Sequence, residues 1–163
     1  MVIVYPGSFD IATTGHLDII TRASKIASKL IVAVLNNTSK RTMFDTKERV
    51  AMLKLACEGM DNVEIMAFDG LLVDFVERVG ACVVVRGLRS MSDFEGEFKM
   101  AMANKALKDS VETIFMPTSP EYAFISSSMV KEVAELGGDV GKMVPESIVK
   151  IIEKKILQKN AYL

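Results

Sequence analysis

Five short runs, at residues 2–5, 30–35, 63–67, 82–86 and 113–116, are apolar almost throughout and rich in β-branched side chains. A strand with one face in water alternates polar and apolar residues, so unbroken apolar runs of this length read as strands buried on both faces. Helical patterns fill the gaps at residues 15–28, 46–58, 71–79 and 92–107, the last opened by a candidate capping box of Ser92 with Glu95. Strand and helix in strict alternation predict a doubly wound, Rossmann-like α/β fold, a five-stranded parallel sheet with helices on both faces, because right-handed crossovers leave few other arrangements. Two more helical segments follow at residues 127–136 and 145–158, the second expected to pack outside as a C-terminal helix. With no repeat, linker or low-complexity tract, the 163 residues are expected to form one domain.

Half the residues are hydrophobic and a quarter are charged, which suits a packed core and excludes a disordered chain. Lys and Arg number 20 against 21 Asp and Glu, so no global field draws nucleic acid or an anionic membrane. Cys57 and Cys82 lack the spacing of a zinc set and read as reduced, buried thiols; the methionines, Met91, Met100 and Met102 among them, read as core filler. The opening apolar run stops at Pro6-Gly7, too soon for a signal peptide, and no run approaches the ~20 residues of a membrane span. A cytoplasmic protein without membrane contact is expected.

In doubly wound sheets ligands bind beyond the carboxyl ends of the strands, which directs attention to five segments, residues 6–16, 36–44, 69–72, 86–97 and 117–128. After the first strand comes Pro6-Gly7-Ser8-Phe9-Asp10-Ile11-Ala12-Thr13-Thr14-Gly15-His16, neither the dinucleotide GxGxxG nor the P-loop pattern. A glycine followed by histidine at a helix start would let backbone and imidazole approach a phosphate together; the alternative is a histidine that only satisfies a local hydrogen bond. After the second strand, Lys40 and Arg41 could reach phosphates or simply face water. Arg86 and Arg89 end the fourth strand and precede Asp93, Glu95 and Glu97, so phosphate contact competes with an internal ion-pair set. Ser126, Ser127 and Ser128 precede a helix, where hydroxyls and free amides suit a triphosphate but also serve as caps.

Taken together, Thr13-Thr14-Gly15-His16 and Ile125-Ser126-Ser127-Ser128-Met129-Val130 resemble the HxGH or TxGH and ISSSxV signatures of the nucleotidyltransferase superfamily. Along nearly its whole length the chain is similar to the bacterial phosphopantetheine adenylyltransferases, in YPGSFD, TTGH, MF followed by ERV, RGLR, DFE and FISSSMVKEV. That resemblance implies transfer of an adenylyl group from ATP to 4'-phosphopantetheine, giving dephospho-coenzyme A and pyrophosphate, with Mg2+ carried mainly by the ATP phosphates. It implies His16 as transition-state stabiliser, aided by Lys40 and Arg89. ATP would be held by Ser8, Phe9, His16, Gly87, Leu88, Arg89, Glu97, Tyr122, Ala123, Phe124, Ile125, Ser126, Ser127 and Ser128, and the acceptor by Ser8, Lys40, Leu72 and Arg86. A homohexamer and feedback by coenzyme A are also implied.

The chain departs from that pattern at Ile11, Thr42 and Gly96, where proline, proline and an aromatic are usual. The first two substitutions are expected to loosen their loops, and the third to remove contacts near Glu97. Another acceptor, or a nucleotide-binding module without catalysis, would fit the same fold. The apolar faces of segments 71–79 and 92–107 could serve either an interface or the monomer core.

Overall fold

The computed structural model describes residues 1–36 and 42–160, without the side chains of residues 159 and 160; Lys40 and its neighbours Ser39 and Arg41 lie outside the described residues. Five strands, β1 (Val2–Gly7), β2 (Lys29–Leu35), β3 (Val63–Phe68), β4 (Val83–Leu88) and β5 (Glu112–Pro117), form one parallel sheet in the order β3-β2-β1-β4-β5. The helices are α1 (Thr14–Ile26), α2 (Thr46–Ala56), α3 (Leu72–Arg78), α4 (Met91–Leu107), α5 (Ser127–Glu135) and α6 (Glu146–Asn160). None is long and apolar enough to cross a membrane.

Side-chain alternation sends the strands into two cores. Ile3, Tyr5, Leu30, Val32 and Val34 pack with Ile19, Ile20, Met52, Leu53, Ile148 and Ile152 of α1, α2 and α6. Val4, Ile31, Ala33 and Val84 meet Val73, Phe75 and Val76 of α3 on the other face. Burial of a Leu, Ile, Val or Phe side chain contributes about 1.5–3 kcal/mol, so these two layers dominate the stability.

Several expectations are corrected. The edge strands β3 and β5 are only partly covered, because each lacks a neighbour on one side and α4 leaves β5 half open. On α4 only Asn104 is buried, so Met91, Met100 and Met102 are exposed rather than core filler. Cys57 is buried, but Cys82 is exposed just before β4. The cap of α4 is Ser90, whose hydroxyl accepts from the Asp93 N–H, and not Ser92. Ile11 is fully buried, and a Cβ on Gly96 would meet nothing.

The strand order reverses direction between β1 and β4. Their ladder is confined to Ile3 with Val83 and Val4 with Val84. Beyond it Pro6 has no N–H to offer a neighbouring strand, and the guanidinium of Arg86 spans the widening gap by donating to the Pro6 carbonyl at 2.8 Å. That gap at the carboxyl end is where a ligand crevice is expected in this topology.

Candidate active site

The crevice holds a cavity of about 310 Å³ whose wall includes Ser8, Phe9, His16, Arg86, Gly87, Arg89, Glu97, Ile125, Ser126, Ser127 and Ser128. These residues come from β1, α1, β4, α4 and the start of α5, so the sequence-predicted residues converge. Leu88, Tyr122, Ala123 and Phe124 do not line this cavity, and a Cβ added at Gly15, which does, would lie 3.6 Å from Tyr122 Cβ. A second cavity of about 410 Å³ is lined by Leu35, Phe68, Leu72, Met100, Ala101, Asn104 and Thr113. The two share Pro6, Gly7, Ser8, Arg86 and Glu97 as a common wall. One chamber is thus rich in hydroxyls and ions and the other mostly apolar, and they meet at Ser8 and Arg86.

His16 is the third residue of α1 and completes a capping box. The Thr13 N–H donates to its Nδ1 at 3.0 Å, while the His16 N–H donates to Thr13 Oγ1. Since Nδ1 accepts from a backbone amide, the neutral ring carries its proton on Nε2. Burial first, and then the charges of Arg89 and Arg86, push its pKa down to about 4. The imidazole is therefore neutral near pH 7, a hydrogen-bond donor and neither a cation nor a base. The local hydrogen bond and the functional reading coexist, because the cap orients the ring.

Phe9 supports that ring from behind. Its backbone sits at φ 48°, a left-handed conformation uncommon for a bulky residue and found mostly at functional sites. Its ring stands edge-on to His16 at 5.1 Å and to Tyr5 at 5.4 Å. A Cβ on Gly7 would fall 2.8 Å from the Phe9 ring, so the turn requires glycine there.

Both arginines are engaged by carboxylates. Arg86 forms a fork with Glu97 at 2.6 and 2.5 Å, and Arg89 pairs with Asp93 at 3.0 and 3.2 Å while reaching the Ile125 carbonyl. The internal ion-pair set weighed from the sequence is what forms, and an incoming phosphate would have to displace a carboxylate from either fork. The serines divide their work. Ser126 caps α5 by accepting from the Met129 N–H, Ser127 donates to the Ile11 carbonyl, and Ser128 lines the cavity exposed.

Four residues escaped the sequence reading. Tyr5, in a core run, turns a hydroxyl with no protein partner among the described residues toward the first cavity. Burial raises its pKa, so the phenol stays protonated. Asn104 is 8 % exposed and faces the second cavity from α4; a lone polar residue in a helix gives no signal in sequence. Asp10 accepts from the Met43 and Phe44 amides and pairs with Lys131 at 3.0 Å, and Arg49 donates to the Ser8 carbonyl. DFE, ERV and GSFD were visible as strings, but nothing in them told which side chain turns inward.

Comparison with known proteins agrees with this geometry. Residues 4–133 match the cytidylyltransferase-like family model. A Clostridium botulinum phosphopantetheine adenylyltransferase is 51% identical over 157 residues, 96% of each chain. The Lachnoclostridium phytofermentans protein of the same name is 47% identical over 152 residues, 93% of each. Among solved structures, a Vibrio parahaemolyticus chain described as a nicotinate-nucleotide adenylyltransferase superposes with TM-score 0.70 at 15% identity, over 93% of this chain and 97% of that one. A lipopolysaccharide core biosynthesis protein from Thermoplasma volcanium superposes with TM-score 0.53 at 20% identity, over 73% of this chain and 96% of the other. At those identities the structural likeness speaks for the fold alone. The sequence relationship reaches further, and by it the chain belongs to the phosphopantetheine adenylyltransferases, within the cytidylyltransferase-like nucleotidyltransferases.

Proposed function

We propose that this protein transfers the adenylyl group of ATP to 4'-phosphopantetheine, forming dephospho-coenzyme A and releasing pyrophosphate. The observation that carries the reading is the pair of cavities sharing the Ser8–Arg86 wall. A polar chamber beside a mostly apolar one matches a nucleotide triphosphate beside an acceptor with a phosphate at one end and an aliphatic, amide-containing tail. Asn104 would meet an amide of that tail, and Leu72 its aliphatic part.

An acceptor phosphate is already a nucleophile near neutral pH, so no base is needed. Its oxygen attacks the α-phosphorus of ATP in line, the bond between the α-phosphorus and the bridging oxygen breaks, and pyrophosphate leaves with the electron pair. The Nε2–H of His16 donates to the oxygens on which charge builds, and a donor fixed beforehand costs no reorganisation at that moment. Arg89 would exchange Asp93 for the nucleotide phosphates, and Arg86 would exchange Glu97 for the acceptor phosphate, since a guanidinium fork suits both anions. Lys40 is proposed to reach the same phosphates.

Among the described residues no three His, Cys, Asp or Glu side chains converge on a metal position. Magnesium is accordingly proposed to travel with the ATP phosphates, where it offsets charge. Coenzyme A combines both halves of the product and would span the two cavities, which supports feedback. A hexamer is proposed on the exposed apolar surface of α4 and β5, where Met91, Phe98, Met100, Met102, Leu107 and Ile114 lie open.

Pyrophosphate release from ATP and magnesium, with and without 4'-phosphopantetheine, tests the reading. Release is expected only with the acceptor, and His16→Ala is expected to lower it by about 100-fold or more while ATP still binds. Release that ignores the acceptor, or survives in His16→Ala, would contradict it.

A further inference from the structure

Arg49 is the one buried cation among the described residues, 3 % exposed in the first turns of α2. Its guanidinium donates to four neutral oxygens, the Ser8 carbonyl at 2.6 Å, the Leu35 carbonyl at 3.1 Å, the Asp45 carbonyl at 3.4 Å and Thr46 Oγ1 at 3.0 Å. No carboxylate of the described residues forms an ion pair with it, and residues 37–41 contain no Asp or Glu. The acids around it have other partners: Asp45, whose carbonyl accepts from Arg49 Nε–H, caps α2 at the Glu48 N–H, Glu48 holds Lys155, and Asp10 holds Lys131.

A buried charge without a counter-ion is costly. The location adds to the cost, because the N-terminal turns of a helix carry partial positive charge and favour anions. Carbonyl dipoles offset part of this. They leave the positive charge itself uncancelled, directly behind Ser8, the residue that belongs to both cavities.

We propose that Arg49 is a positioning residue that fixes the Ser8 loop and projects its uncancelled charge into the phosphate-binding crevice, with the substrate phosphates as its missing counter-ion. The inference rests on reading that crevice as an anion site. Arg49 lines neither cavity and touches no substrate; it acts through the Ser8 backbone and through its field. The charge is held in place by the fold before any anion arrives, so it adds to anion affinity without the entropy of ordering a flexible side chain.

Charge and scaffolding separate in two variants of the full-length protein. Arg49→Lys keeps the charge and loses the fork, and Arg49→Gln keeps hydrogen-bonding capacity and loses the charge. Binding of inorganic pyrophosphate, followed by calorimetry beside the thermal midpoint, is expected to weaken about 10-fold in Arg49→Gln, as a unit charge some 10 Å away at an effective dielectric near 20 would produce. In Arg49→Lys it is expected to stay within about 3-fold of the parent, although both variants melt earlier. Equal affinity in all three proteins, or equal losses in both variants, would overturn the proposal.

Should neither variant fold, the Arg49 Nε–H resonance of the unmodified protein, titrated with pyrophosphate, provides the reading. A shift with slowed exchange supports the coupling, and an unmoved signal overturns it. Unchanged pyrophosphate binding in Arg49→Gln removes this inference alone, whereas acceptor-independent pyrophosphate release removes the reaction assignment alone.

Discussion

His16 shows how one side chain satisfies a local and a chemical demand together. Its Nδ1 closes the cap of α1, and that bond leaves the proton on Nε2. The unfolded imidazole takes up a proton near pH 6.5 and the folded one near 4, so between these values the unfolded state binds more protons. This contribution to stability is therefore complete above about pH 6.5 and is lost as the pH falls toward 4. For the same reason the rate at saturation should show no break from His16 between about pH 9 and 5; a break near 6.5 that vanishes in His16→Gln would contradict a neutral donor. Asn104, turned into the second cavity, makes a separate prediction. Asn104→Leu should raise the KM for the acceptor by about 10-fold with the KM for ATP unchanged, the loss expected for one hydrogen bond plus an unpaired amide on the ligand.

At the scale of elements, Asp10 joins three pieces that bear candidate residues. Its carboxylate accepts from Met43 and Phe44 ahead of α2 and pairs with Lys131 of α5, while its own backbone follows Ser8 and Phe9. Asp10 is 4 % exposed, so removing the carboxylate leaves two amides and an ammonium without their partner. Asp10→Ala should lose about 3 kcal/mol in denaturant unfolding, and activity should fall further than the unfolded fraction accounts for, because the loops drift apart. The elements themselves were legible: each strand run and each helical pattern became a strand or a helix, since periodicity reports burial directly. Their ends were less so. Ser92 carried the capping pattern, yet Ser90 caps α4, because which serine turns its hydroxyl to the free amides depends on the path of the chain out of β4.

For the whole molecule, α4 sets the open question. In a doubly wound fold this helix should seal one face of the sheet, but it buries only Asn104 and leaves a broad apolar strip in water. Monomers seldom expose such a strip, and contact between copies would cover it. Phe98→Asp should therefore shift the mass measured by light scattering toward smaller species at micromolar concentration; an unchanged mass would contradict assembly through this strip. The variant leaves both cavity walls intact, so any loss of activity would report on assembly.

The sequence by itself determined the alternation of strand and helix, the parallel sheet and the segments at its carboxyl edge, because hydrophobic period and local turn chemistry are short-range properties. It also carried His16, the arginines and the serines as candidates, through motifs that sit where strands end. Only the tertiary structure decided that Arg86 takes Glu97 and Arg89 takes Asp93, that Tyr5 and Asn104 face cavities, that the methionines of α4 are outside, and that Arg49 stands buried behind Ser8 without a counter-ion among the described residues. Those outcomes depend on which elements pack against which. Each joins residues far apart in the chain, and no local pattern encodes them.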